Sequence, residues 1–128
     1  MNRTVPILFC FIVFISCGDL LSEKKKVYEN YYLIESEDQR VFSLCYRSKD
    51  DDFIERVSSP VVGYFIAGDS LFIAKREVSK QTVYYVIDIK KDNSFADADI
   101  YTVGLFKENE FKKWSYNKSI KPVFIDVK

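Results

Sequence analysis

Histidine is absent from this chain of 128 residues. Without it, the protein lacks the commonest general base, the usual activator of serine and cysteine nucleophiles, and the preferred side-chain ligand of zinc. An excess of charge is also missing, because 19 lysines and arginines balance 19 aspartates and glutamates. Proteins that bind nucleic acid normally carry a basic excess, so the composition argues against that class of partner.

A long apolar run lies at the start of the chain, over residues 5–15. Arg3 precedes this run, and the small residue Ser16 and then Cys17 follow it. A basic residue, an apolar stretch of about 7–15 residues and a small residue at the cleavage position are the parts of a secretory signal. A cysteine directly after that position is typical of bacterial lipoproteins. The sequence therefore predicts a signal peptide over residues 1–16 and a lipid on the Cys17 thiol.

Two other interpretations of the apolar run stay open. An uncleaved transmembrane helix needs about 20 apolar residues, whereas this run ends at Gly18-Asp19. Cleavage as an ordinary secretory signal would leave Cys17 as a free thiol in an oxidising compartment, which is chemically unfavourable. Cys10 is a poorer position for the lipid, because only about four apolar residues precede it. Phe14 stands where lipoprotein signals most often have leucine.

The predicted organisation is a signal peptide over residues 1–16, a lipidated tether over residues 17–27 and a single β-rich domain over residues 28–128. A mature chain of this size suffices for one hydrophobic core and not for two. The tether contains Lys24-Lys25-Lys26. We interpret these lysines as a solvated spacer, with attraction to anionic lipid headgroups as the alternative.

Only one thiol would remain in the mature domain, because Cys10 leaves with the signal peptide and Cys17 carries the lipid. That thiol is Cys45, and a disulfide within one mature chain is excluded. Cys45 lies in an alternating segment, so we expect a small buried or half-buried side chain. A disulfide between two chains is the other interpretation.

Alternating and β-branched patterns predict a series of strands in the domain. The alternation is clearest in residues 40–47 and places Phe42, Leu44 and Tyr46 toward the core. Gly68-Asp69 predicts a two-residue hairpin turn in which the glycine takes a positive φ. The predicted strands are residues 27–36, 40–47, 61–67, 70–76, 81–90, 100–103 and 123–127, and residues 53–57 are a candidate for a further short edge strand.

Residues 107–117 have a different period, since Phe111 and Trp114 lie three positions apart among polar residues. This spacing predicts a short amphipathic helix laid on the sheet. The elements together predict an α+β fold, in which an antiparallel β-meander of five to seven strands packs one face against a single C-terminal helix.

Candidate metal and catalytic residues are few. Asp50-Asp51-Asp52 is the tightest carboxylate cluster, but it lacks the glycine and the distal glutamate of a calcium loop, so we interpret it as a solvated turn. Asp97 and Asp99 form a second acidic pair with the same interpretation, because nothing in their spacing sets two carboxylates across a cleft. The sequence therefore predicts no catalytic residue, no metal and no cofactor.

Aromatic residues make up 16% of the chain. Most of them suit buried positions in a sheet, where large rings pack well. Tyr31, Tyr84 and Tyr116 fall on the faces opposite the predicted core sides. We expect these three to be exposed and to be candidates for contact with a glycan or a protein.

The strand patterns, with the signal that ends at Cys17, resemble a group of small uncharacterised bacterial lipoproteins classed as a domain of unknown function. The resemblance covers about residues 28–115 and implies no activity, cofactor or catalytic residue. Its segments are Tyr31-Tyr32-Leu33-Ile34, Phe42-Ser43-Leu44-Cys45-Tyr46-Arg47, Val62-Gly63-Tyr64, Leu71-Phe72-Ile73-Ala74-Lys75 and Tyr84-Tyr85-Val86-Ile87-Asp88.

The function we expect is that of a bacterial envelope lipoprotein, anchored to a membrane through lipid on the periplasmic or cell-surface face. Its non-catalytic β domain would bind a protein or an envelope component. The alternative is a periplasmic inhibitor or immunity lipoprotein that neutralises a toxin or a hydrolase. An enzyme is the least favoured class, because histidine and any nucleophile motif are missing.

Overall fold

The computed structural model describes residues 23–36 and 39–127. Over these residues the chain forms nine strands in two antiparallel sheets, with two short helices. The antiparallel, β-rich character predicted from the sequence is confirmed. The arrangement differs from the single meander of five to seven strands with one helix, because the strands divide into two sheets and a second helix is present.

The first sheet is a four-stranded meander in which each strand pairs with the next in sequence. Its strands are β1 (Lys24–Tyr28), β2 (Tyr31–Glu35), β3 (Phe42–Arg47) and β4 (Phe53–Val57). The prediction of one strand over residues 27–36 is wrong, because Glu29, at φ 46°, turns the chain between β1 and β2. Residues 24–27, which the sequence analysis assigned to the tether over residues 17–27, form part of the edge strand β1, where Lys24 pairs with Ile34.

The second sheet has five strands in the order β8-β7-β6-β5-β9. They are β5 (Val61–Ala67), β6 (Leu71–Val78), β7 (Gln81–Asp88), β8 (Thr102–Lys107) and β9 (Ile125–Asp126). The β5–β6 hairpin is confirmed, and Gly68 has a φ of 62°. Its connection has three residues instead of two, because Ala67 pairs with Leu71.

Two helices flank β8. Helix α1 (Ala98–Tyr101) occupies the start of the strand predicted over residues 100–103, so β8 begins at Thr102. Helix α2 (Glu108–Asn117) confirms the helix predicted over residues 107–117. The Lys107 backbone N–H donates to Glu110 Oε1 at 2.9 Å, which satisfies one of the donors left unpaired at a helix start.

The first sheet, the second sheet and helix α2 form three layers, with an apolar cluster between each layer and the next. One cluster joins the facing sides of the two sheets, with Leu33 and Leu44 of the first sheet against Phe72 and Ile87 of the second. The other cluster joins the opposite side of the second sheet to Phe111 of α2. The second sheet is therefore covered on both faces, whereas no element within residues 23–36 and 39–127 covers the other face of the first sheet.

Candidate functional site

The loops that connect alternate strands meet at one end of the sandwich. This loop end contains the β1–β2 turn at residues 29–30, the β3–β4 loop at residues 48–52, the β5–β6 turn at residues 68–70 and the segment that follows β7, residues 89–97. An antiparallel meander returns every second loop to the same end, so the topology itself gathers these segments. Loops held by a rigid scaffold commonly carry binding residues.

A buried ion pair lies beneath the loop end. Arg56 of β4 donates from Nη2 to Asp92 Oδ1 at 2.8 Å and from Nε to Asp92 Oδ2 at 3.0 Å. The two side chains are 4% and 0% exposed, respectively. The Tyr31 hydroxyl donates to Asp92 Oδ2 at 2.7 Å. Asp92 thus ties together β2, β4 and the segment after β7.

Two aromatic rings contact the Arg56 guanidinium. Its central carbon lies 5.3 Å from the Tyr46 ring centroid and 4.4 Å from that of Tyr101, distances typical of cation–π contact. Arg56 Nη2 also donates to the Asn93 carbonyl at 2.9 Å. Helix α1 therefore has a structural role at this site, because it supplies Tyr101 over the buried cation.

Burial and hydrogen bonding in this network change the pKa values of Arg56 and Tyr31. Burial acts to lower the pKa of Arg56, but hydrogen bonding and the charge of Asp92 outweigh it, so the pKa rises above its ordinary value. Burial, and then the hydrogen bond to Asp92, raise the pKa of Tyr31 far above its usual range. Both shifts favour a charged Arg56 guanidinium and a neutral Tyr31 phenol in the folded protein.

Two adjoining cavities open at the loop end, with volumes of about 390 and 420 Å³. Both are lined by Asn30 and Tyr46, so we treat them as one surface and call it the loop-end groove. Cavities of this size lie within the range that binds small ligands or anchors a partner's side chain. The other lining residues are Arg47, Ser48, Lys49, Asn93, Ser94 and Phe95 in the first cavity, and Tyr28, Glu29, Tyr31, Asp69, Ile89, Lys90 and Asp92 in the second.

Hydrogen bonds fix the walls of the first cavity. Asn30 Nδ2 donates to the Tyr46 hydroxyl at 3.3 Å, and the Lys49 backbone N–H donates to Ser94 Oγ at 3.3 Å. The Phe95 backbone N–H donates to the Asn93 side-chain oxygen at 2.8 Å. Phe95 is nevertheless 88% exposed, the most exposed large apolar side chain among the described residues. One wall of the groove is therefore a hydrogen-bonded loop that carries the exposed aromatic ring of Phe95.

The three tyrosines predicted to be exposed differ in their actual exposure. Tyr116 is 83% exposed, as predicted. The prediction is wrong for Tyr31, which the β1–β2 turn brings to the core side of the sheet, and for Tyr84. Tyr84 lies on the face of β7 that α2 covers, and its ring stacks on Phe111 with centroids 4.1 Å apart.

The acidic candidates form exposed turns. Residues 50–52 are all exposed, and Asp51 has a φ of 65° and pairs with Arg47 at 2.7 Å. Asp97 and Asp99 are exposed beside and within α1. Over residues 23–36 and 39–127, no three histidine, cysteine, aspartate or glutamate side chains lie close enough to hold a metal ion.

Cys45 is buried, as predicted, and is a free thiol. Burial raises the pKa of its thiol, although the hydrogen bond with Ser43 acts against this rise. The predicted lipidation residue, Cys17, lies outside the described residues. Cys45 is therefore a buried thiol in its protonated form, and it is not among the residues that line the groove.

The sequence did not predict the residues that position the groove. Asp92 and Phe95 lie in a segment predicted only as a loop, and no local pattern distinguishes them. Arg56 carried a usable signal, because it shares a strand face with the apolar Ile54, two positions before it in a short strand. A charged residue at an inward-facing strand position requires a partner.

No protein-family model matches this chain, and the comparisons with curated proteins and with solved structures also find no match. The resemblance to small bacterial lipoproteins therefore stays a prediction from strand patterns. Neither helix in the described part of the chain has the length and apolar character needed to cross a bilayer.

Proposed function

We propose that this protein is a bacterial envelope lipoprotein, anchored through lipid on Cys17, and that its β-rich domain binds a protein or another envelope component through the loop-end groove. The anchor is supported by the apolar run of residues 5–15 followed by Ser16 and Cys17. The binding role is supported by the groove, whose loops come from four separate connections between strands.

The observation that carries the proposal is the exposed Phe95 ring beside an ordered cavity. Removing a large apolar ring from water is favourable, so a partner that covers the ring gains binding free energy. The loop that bears Phe95 is fixed through Asn93, whose carbonyl accepts from the buried Arg56. Binding to a loop that is already ordered avoids much of the entropy cost of association.

A non-catalytic role is supported by the hydrogen bonding of Asp92, the carboxylate beneath the groove. Asp92 is the one buried acidic side chain among the described residues, and Arg56 and Tyr31 occupy its oxygens. A general base must be free to accept a proton from a substrate. Asp92 is committed to holding the loops, and the chain has no histidine to replace it.

The inhibitor or immunity function is a second candidate, favoured by the same exposed ring. An ordered loop with Phe95 at its surface has the features of an element that inserts into the cleft of a hydrolase or toxin. The identity of the partner distinguishes the two candidates, because an inhibitor must suppress the activity of the enzyme that it binds.

Site-specific crosslinking tests the groove directly. A photoreactive phenylalanine analogue at Phe95 should give adducts with one partner in intact cells under ultraviolet light. The same analogue at Tyr116 is the matched control, because that ring is similarly exposed but lies on α2. Binding of the identified partner should then weaken at least about tenfold in F95A and little in Y116A. Equal adducts at both positions, or unchanged binding in F95A, would refute the groove as the binding site.

The lipid anchor has an independent test. C17S should lose membrane association and the processing that depends on the lipid, because the serine hydroxyl cannot replace the thiol. Fractionation of cells and mass spectrometry of the mature protein measure these effects. A C17S protein that still fractionates with membranes and is processed as the wild type would contradict the anchor.

A further inference from the structure

Three lysines lie on the edge strand that is nearest in sequence to the proposed anchor. Residues 24–26 begin β1, the outermost strand of the first sheet, and all three side chains are exposed. Lys24 comes seven positions after Cys17. Seven residues span at most about 25 Å, so a lipid on Cys17 would keep Lys24 within that distance of the membrane, with Lys25 and Lys26 directly after it.

The first sheet also has an outward face, and two of the lysines belong to it. Strand pairing places Lys24 beside Ile34 and Lys26 beside Tyr32, on the side opposite the buried Leu33. The Lys24 ammonium lies 5.2 Å from the Phe53 ring centroid. Tyr32 and Phe53 contact each other edge to face, with centroids 5.2 Å apart.

This combination of ammonium groups and half-buried aromatic rings is the chemistry of a membrane-surface contact. Ammonium groups are attracted to anionic lipid headgroups, and tyrosine, which has an apolar ring and a polar hydroxyl, suits the interfacial region. Of the acidic groups nearby, Glu35 pairs with Arg40. Glu23 and Glu55 are exposed and keep their charge, although Glu55 accepts a hydrogen bond from Ser58.

We propose that β1 and the outward face of the first sheet rest on anionic phospholipid headgroups, which orients the loop-end groove along the membrane surface. This inference rests on the proposed lipid anchor and extends it from attachment to orientation. We infer that the bilayer itself covers this face. The short tether joins the domain at β1, and the lysines that attract anionic headgroups lie on the same strand. Helix α2 then lies on the far side of the molecule, beyond the second sheet.

Lysine acylation on reconstituted protein tests the orientation. The lipoprotein purified from membranes is placed in liposomes of phosphatidylcholine alone or mixed with phosphatidylglycerol, and labelling is measured by mass spectrometry. Lys112 and Lys113 of α2 are exposed internal controls on the opposite side. Labelling of residues 24–26 relative to these controls should fall at least about fivefold with phosphatidylglycerol, and high salt should restore it.

A ratio that does not depend on lipid charge would overturn the inference and leave the lysines as protection of a sheet edge against unwanted strand pairing. Protein that fails to float with the liposomes would refute the anchor itself, and the orientation with it.

Hydrogen exchange gives a second measurement that does not depend on lysine chemistry. Exchange at β1 should slow in phosphatidylglycerol liposomes for the wild type and for the matched control K112Q/K113Q/K118Q. It should not slow for K24Q/K25Q/K26Q, which stays attached through its lipid. Equal slowing in both triple variants would count against the lysines as the contact.

Discussion

Replacing Asp92 with alanine tests whether the buried ion pair holds the loop end together. The change leaves the Arg56 guanidinium, 4% exposed, without its anion and the Tyr31 hydroxyl without its acceptor. Removal of one partner of a buried ion pair costs about 3–5 kcal/mol. A single domain has only about 5–15 kcal/mol of unfolding free energy, so D92A should lose a large share of it. Urea denaturation followed by circular dichroism measures the loss.

Two further variants separate charge from shape. D92N keeps an oxygen for Tyr31 and for Arg56, so it should lose less stability than D92A. The double variant R56M/D92L removes both charges, and apolar replacement of a buried pair is neutral or stabilising by about 1–4 kcal/mol. The Tyr31 hydroxyl still loses its acceptor, at a cost of about 1–3 kcal/mol, so the double variant should be more stable than D92A without exceeding the wild type. A D92A protein within about 0.5 kcal/mol of wild type, the range of ordinary surface changes, would refute the reasoning. So would a double variant no more stable than D92A.

Two other predictions concern stability. G104A should cost about 1–3 kcal/mol, because a Cβ there would clash with the Phe106 ring, which stacks on Trp114, and tryptophan emission should report the displaced ring. G63A, whose Cβ would meet nothing closer than 3.4 Å, is the matched control, and an equal loss would contradict the clash. At alkaline pH, the raised pKa of Tyr31 keeps it protonated in the folded state after the unfolded chain ionises near 10. Its contribution is therefore complete below that pH and declines above it by up to about 1.4 kcal/mol per pH unit. Y31F should flatten the decline, and an unchanged slope in urea titrations would argue against the buried phenol.

Local signals were enough to predict several elements. The β5–β6 hairpin follows from a glycine that can take a positive φ, and α2 follows from Phe111 and Trp114 three positions apart. In β3, alternation identified Phe42 and Leu44 as core residues, and both are buried. Each of these features depends on residues that are close together in sequence.

Other features were hidden because the deciding contact is distant in sequence. Strand β1 begins with lysines whose side chains are all exposed, so an edge strand there needs no apolar alternation. Strand β7 is covered by the first sheet on one face and by α2 on the other, so its alternation could not identify an outward side for Tyr84. Arg56 and Asp92 are 36 residues apart, and only the packing of the two sheets brings them together.

The ion pair beneath the groove is better explained by its role in positioning the loop than by a contribution to the free energy of unfolding. Apolar side chains in its place would be at least as stabilising, but they could not hold the Asn93 carbonyl at 2.9 Å from a guanidinium nitrogen. That contact sets the loop on which Phe95 is displayed. R56M/D92L should therefore be more stable than D92A, within about 3 kcal/mol of the wild type because the Tyr31 hydroxyl loses its acceptor, and yet give fewer crosslinks from position 95. A double variant that keeps both stability and crosslinking would show that the loop is ordered by its own hydrogen bonds, with no need of the buried pair.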